Sequence, residues 1–216
     1  MSASLEVFRQ KFLGPIDQYL AWHDGYSSFT DFDLLDQLSP PDQQTAAAEL
    51  LHALEKRKAD PRAMLGLGHL RYRPALPALH TCLSTSGTYA LEAIARIDPS
   101  ELQVAQVQQV LHANAEKEYV LLELLIGLGH FYTRQQLSAQ LLQQIFELLA
   151  HPKYLVRYHA LAAMRNLYGL AQTNSTTAAQ VQADTIFSHI TSDKRPADYR
   201  KAQQLLLADM RANGTF

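Results

Sequence analysis

At 216 residues, 47% of them hydrophobic and 19% charged, the chain has the content of a folded protein large enough for one domain or a short repeat array. A formal charge of −2 supplies no general field to recruit nucleic acid or an anionic membrane. A single cysteine, Cys82, excludes an intramolecular disulfide and a cysteine-rich zinc site.

The opening, MSASLEVFRQKF, lacks a basic stretch followed by a long apolar one, so no secretory signal is expected and the location expected is cytoplasmic. Residues 1–38 are aromatic-rich and read as short helices. Beyond them, apolar spacing predicts helices over 40–57, 61–70, 74–83, 86–97, 99–112, 116–131, 133–150, 153–168, 175–190 and 197–211, with no sustained alternation of period two. Ser39 before Pro40, and Asp98 before Pro99, carry the side chains expected at helix starts. The most apolar run, YVLLELLIGLGHF, is too short to span a bilayer and contains Glu123. Asn174, within NST, matches a glycosylation acceptor but reads as a chance match without a signal sequence.

LGLGHL at 65–70 returns as IGLGHF at 126–131, and each copy places two glycines inside a predicted helix. Each glycine costs about 0.8–1 kcal/mol of helix propensity relative to alanine. Aligning four predicted helices supplies a reason. Ala63, Ala90, Leu124 and Ala160 form one apolar column; Leu67, Ile94, Leu128 and Met164 a second; Leu70, Ile97, Phe131 and Leu167 a third. Between them run Gly66, Ala93, Gly127 and Ala163, small residues that would let a neighbouring helix approach closely. Short helices in register at this spacing predict a stack of two-helix repeats.

HPKYLVRYHALAAMRNL at 151–167 resembles the second helix of a HEAT-like (armadillo-type) repeat, with a proline turn leading into a Val-Arg pair and spaced small residues. DPRAMLGLGHL at 60–70 and TSGTYALEAIARI at 85–97 are similar but lack that pair, and RPADYRKAQQLLL at 195–207 is a degenerate fifth copy. The resemblance implies an all-α fold: a right-handed superhelix (α-solenoid) of about four to five helical pairs. Residues 1–38 would be a divergent helical N-terminal cap and 39–216 the array, together one structural domain. The cap would cover the first repeat's apolar face; the alternative makes Trp22, Tyr26 and Phe29 a docking patch.

In HEAT-like stacks the second helices line the concave side, so the resemblance places three further columns there: Arg62, Tyr89, Glu123 and His159; Leu65, Glu92, Ile126 and Ala162; His69, Arg96, His130 and Asn166. Both charge signs, tyrosine and imidazole suit a protein-binding groove. The residues expected to hold a protein partner are Arg62, Tyr89, Glu92, Arg96, Glu123, His130, His159 and Asn166. The expected activity is non-catalytic, as adaptor or inhibitor, with no cofactor.

Catalytic readings have less support. His69 and His130 stand two repeats apart, roughly 20 Å at about 10 Å per helical pair, too far to share a metal. HEAT-like iron hydroxylases carry adjacent His-Glu pairs, of which the chain has none. His80 and Cys82, two apart on a helix, face different ways. No phosphate loop, G-x-S-x-G or H-E-x-x-H occurs. The nearest alternative is a nucleic-acid-binding protein resembling the HEAT-like DNA glycosylases, resting on the basic cluster Lys56, Arg57, Lys58, Arg62, Arg71 and Arg73. Yet the only tryptophan lies outside the repeats, and the lysines at a helix end complement its dipole. The HEAT-like bilin lyases share the pattern without a distinguishing residue set. Arg157 and Arg200 are expected to brace turns between repeats through ion pairs.

Overall fold

The structure, a computed structural model, describes residues 3–56, 60–170, 184–191 and 195–213. These residues are all-helical, with no strand among them, and the chain divides into two compact units, Met1–Gln103 and Val104–Phe216. The division falls where the expected helix 99–112 is interrupted. Asp98 does accept the Ser100 amide as a cap, but only the 3-10 turn Pro99–Glu101 follows. Leu102 then turns inward with an extended backbone, and the next helix begins at Val104.

In the first unit, α1 (Ala3–Phe8) runs into a π-helical turn, Arg9–Leu13, followed by α2 (Gln18–Asp24), the 3-10 turn Tyr26–Phe29 and α3 (Phe32–Asp36). Four further helices come next: α4 (Pro40–Glu55), α5 (Pro61–His69), α6 (Leu76–Thr81) and α7 (Gly87–Ile97). Aspartate or serine starts most of them. Asp17, Asp31, Ser39 and Asp60 each accept a backbone amide of the first turn, satisfying donors a helix leaves open. Phe8 and Phe12, stacked at 5.3 Å and almost fully buried, anchor the N-terminal segment against α4 and α5. The segment is therefore part of the first unit's core.

The second unit contains α8 (Val104–Ala113), α9 (Glu118–Phe131), α10 (Ala139–Glu147), α11 (Tyr154–Leu167), α12 (Thr185–Ile190) and α13 (Pro196–Ala212). The single helix expected over 133–150 is three pieces, because two caps lie within six residues. Gln136 reaches back to the Thr133 amide and closes a 3-10 turn, and Ser138 then caps α10. Of the helix expected over 175–190, only the end lies within the described residues, and the Asn174 acceptor lies outside them.

The two tightest helix pairs are α5 with α7 and α9 with α11, one in each unit. The predicted apolar columns line them: Ala63, Ala90, Leu124 and Ala160 are fully buried, as are Leu67, Ile94 and Leu128. The glycines that meet the backbone of a neighbouring helix stand two residues beyond those expected. A Cβ on Gly68 would stand 2.7 Å from the Ala93 Cα, and one on Gly129 would stand 2.8 Å from the Ala163 Cα. Gly66 instead faces the side chains of Leu50 and Phe12. The contact with Ala93 and Ala163 is staggered by two residues from that column, so the second glycine of each G-L-G makes it.

Buried arginines hold the turns. Arg157, 1% exposed, donates to the carbonyls of His151, Pro152, Ile190 and Thr191, with its guanidinium carbon 4.1 Å from the Tyr199 ring centroid. It does brace turns, but through carbonyl dipoles and an aromatic face where ion pairs were expected. Arg200, given the same role, is exposed, and its neighbour Tyr199 makes the contact. Arg165 forms a two-pronged pair with Asp184 at 2.7 and 3.0 Å.

Candidate functional site

The eight expected partner-binding residues fall into two groups of four, one on α5 and α7 of the first unit, the other on α9 and α11 of the second. The groups differ in what lies over them.

On the first unit the N-terminal segment covers the face. Arg62 is 2% exposed and cannot meet a partner. Its guanidinium engages both carboxylate oxygens of Asp60 and donates to the carbonyls of Lys11 at 2.5 Å and Gly14 at 2.7 Å. Sequence spacing does not reveal that residues 11–14 return to this side chain. The Tyr89 hydroxyl accepts the Tyr26 amide at 3.2 Å, and the two rings meet edge to face at 5.6 Å. Glu92 is buried and accepts from Arg96, whose Nη2 lies 2.8 Å away. Arg96 remains exposed at its tip, with its guanidinium carbon 5.2 Å from the Phe32 ring centroid. Phe32 in turn stacks on His69 at 4.8 Å, and the His69 Nε2 lies 2.7 Å from an Asp36 carboxylate oxygen. Phe32 and Asp36 stand one helical turn apart on α3, so one short helix delivers a ring and a carboxylate to one imidazole. Of the proposed docking patch, Tyr26 is engaged with Tyr89, Phe29 is half-buried, and the Trp22 side chain lies outside the described residues.

On the second unit the face is more open. His130 and Asn166 are exposed, and Glu123 and His159 are half-buried. His159 meets Tyr158 edge to face at 5.0 Å. Burial pushes its pKa down, and the charge of His130 pushes the same way. Beside them stand three side chains that the sequence reading did not single out: Tyr119 at 74% exposure, Leu155 at 41% and Tyr158 at 40%. The signal was present. Tyr119 and Leu155 lie one turn before Glu123 and His159, and extending that column by four residues reaches both. Together these residues present aromatic and aliphatic area next to imidazole, carboxylate and amide groups, the mixture that protein interfaces use.

Of the basic cluster, Lys56 and Arg71 are exposed. Arg62 is buried, Arg73 is paired with both Asp98 and Glu101, and Arg57 and Lys58 lie outside the described residues. His80 is buried, with its Nε2 3.1 Å from the Glu101 carbonyl, and burial lowers its pKa. Among the described residues no group of three or more His, Cys, Asp or Glu side chains could hold a metal ion, and no helix is long and apolar enough to cross a membrane. A cavity of about 380 Å³ in the second unit is lined mainly by the apolar side chains of Leu142, Phe146, Met164, Leu207 and Met210, with Arg134, Gln143 and Tyr168 also on its wall. Comparison of the chain with protein-family profiles, with curated proteins and with solved structures gives no match.

Proposed function

We propose that the protein is a non-catalytic interaction module, built as a right-handed HEAT-like α-solenoid and acting in the cytoplasm as an adaptor or inhibitor. It holds a protein partner on the face formed by α9 and α11. The observation carrying this reading is the exposure of Tyr119, Leu155 and Tyr158 on one two-helix face, beside Glu123, His130, His159 and Asn166. Exposed aromatic side chains clustered with hydrogen-bonding groups are the usual anchors of protein interfaces. Rigid helix pairs also lower the ordering cost of binding. The first unit supports the reading from within the chain, since its corresponding face already holds a peptide segment through Tyr89, Arg96 and His69.

Affinity capture from native lysate with the intact chain, beside a Leu155→Glu, Tyr158→Glu variant, tests it. A partner held by the first and lost by the second, with the melting temperature unchanged, supports the assignment. The same captured set from both baits overturns it.

A further inference from the structure

The two units carry the same device twice. In each, a glycine on one helix meets an alanine of the next, with Gly68 against Ala93 and Gly129 against Ala163. In each, a histidine follows that glycine directly: His69 ends α5, and His130 lies in the last turn of α9. In the first unit the histidine is covered. Phe32 lies parallel on its ring, with 24° between planes, and the Asp36 carboxylate lies 2.7 Å from its Nε2. The ring and the carboxylate come from positions i and i+4 of one short helix. In the second unit the equivalent histidine is exposed, and exposed Tyr158 and Leu155 stand on the adjacent helix.

We propose that His130 is the recognition point for a helical acidic–aromatic segment of a partner protein, a Phe-x-x-x-Asp pattern that repeats what Phe32 and Asp36 do at His69. This rests on the reading of the α9 and α11 face as a protein-binding surface and specifies what that surface selects. The aromatic ring stacks on the imidazole of His130, and the carboxylate one turn later takes its Nε2–H. The rest of the segment's apolar side lies toward Tyr158 and Leu155. Where the first unit has Arg96 over the Phe32 ring, the second has Asn166, so the aromatic is held by the imidazole without a cation. Glu123 stands seven residues before His130 on α9, two turns away, which directs an acidic side chain to the His130 end of the face.

The probe is a synthetic peptide of residues 30–38, TDFDLLDQL, labelled at its N-terminus and titrated against the intact chain by fluorescence anisotropy. The expected result is saturable binding that weakens at least tenfold for the His130→Ala chain, whose melting temperature stays at the wild-type value because His130 is exposed. Phe32→Ala or Asp36→Asn within the peptide should weaken binding to the same extent. With a photoreactive phenylalanine at position 32 of the peptide, labelling should fall within residues 118–131 or 154–167. Labelling within 61–69 would show exchange with the chain's own segment and overturn the proposal. Absence of binding up to about 1 mM peptide overturns it too. A dimer of the purified chain that dissociates on His130→Ala would assign the face to a second copy and equally overturn it. If lysate capture still depends on Leu155 and Tyr158 while the peptide fails, the binding face stands and only the partner chemistry is wrong.

Discussion

Gly68 and Ala93 meet so closely that a Cβ on the glycine would stand 2.7 Å from the alanine Cα and 3.1 Å from its Cβ. The obstacle is backbone, which cannot swing aside as a side chain does. Gly68→Ala should therefore force α5 and α7 apart. Overpacking of this kind costs about 1–3 kcal/mol, which outweighs the 0.8–1 kcal/mol or so gained in helix propensity. Gly129→Ala should behave alike against Ala163, and Ala93→Gly should not rescue Gly68→Ala, because the Cα remains. Gly66→Ala, which meets the ends of Leu50 and Phe12, should cost less. Urea unfolding of the four variants gives the ranking.

Arg62 is a second point of sensitivity. Removing its side chain leaves Asp60 and two carbonyls of the N-terminal segment without their shared donor. Breaking a buried pair costs about 3–5 kcal/mol, so Arg62→Ala should lower stability by about 3 kcal/mol. Arg62→Lys should recover little of it, since an ammonium cannot reproduce the planar fork. Limited proteolysis should cut near residues 14–30 faster in both variants than in the wild type.

Arg71 sits at φ 49° in the turn after α5, where Tyr72 N–H returns to the Leu67 carbonyl. That left-handed conformation costs a residue with a Cβ about 1–2 kcal/mol, against about 0.5–1 kcal/mol of extra backbone entropy lost by glycine on folding. Arg71 is exposed, so Arg71→Gly should stabilise the chain by about 0.5–1 kcal/mol in thermal unfolding. Gly169, at φ 63°, occupies the same place after α11 in the second unit, where Leu170 N–H returns to the Arg165 carbonyl.

Acid should weaken the fold in two stages. Burial holds His80 and His159 below their ordinary value of 6.5, so the unfolded chain takes up protons first. Their contribution is complete above about pH 6.5 and is lost as pH falls below it. Burial opposes the charge of Asp184, but hydrogen bonds from Arg165 and the Phe187 amide and the charge of Arg165 outweigh it, leaving its pKa below 3.8. Its contribution persists above that value and is lost below it. Melting temperature against pH should decline from pH 6.5 and decline further below 3.8, with His159→Gln flattening the first stage.

The helix pairs were legible in the sequence because burial leaves a period that spacing reveals: Ala63, Leu67, Ala90 and Ile94 lie in the core as the columns require. Caps were legible where serine or aspartate preceded proline, as at Ser39. They were missed at Thr133, whose partner Gln136 closes only one turn. The burial of Arg62 and Glu92 was not legible, for a different reason. Arg62 and Glu92 point as helical spacing says, but a periodic pattern carries no information about a non-periodic segment folding back over it. Tyr119 and Leu155 lie one turn outside the aligned columns, where the repeat pattern ends.

The reach of Arg62 to Lys11 and Gly14 spans 51 and 48 residues. In a chain growing at about 5–20 residues per second, residues 11–14 leave the ribosome several seconds before the arginine that fastens them. Until it arrives, Phe8 and Phe12 have no α5 to lie against, and the nascent chain shows two unsheltered phenylalanines. The segment is thus synthesised before the arginine that fastens it and can settle only afterwards, an interval open to a chaperone.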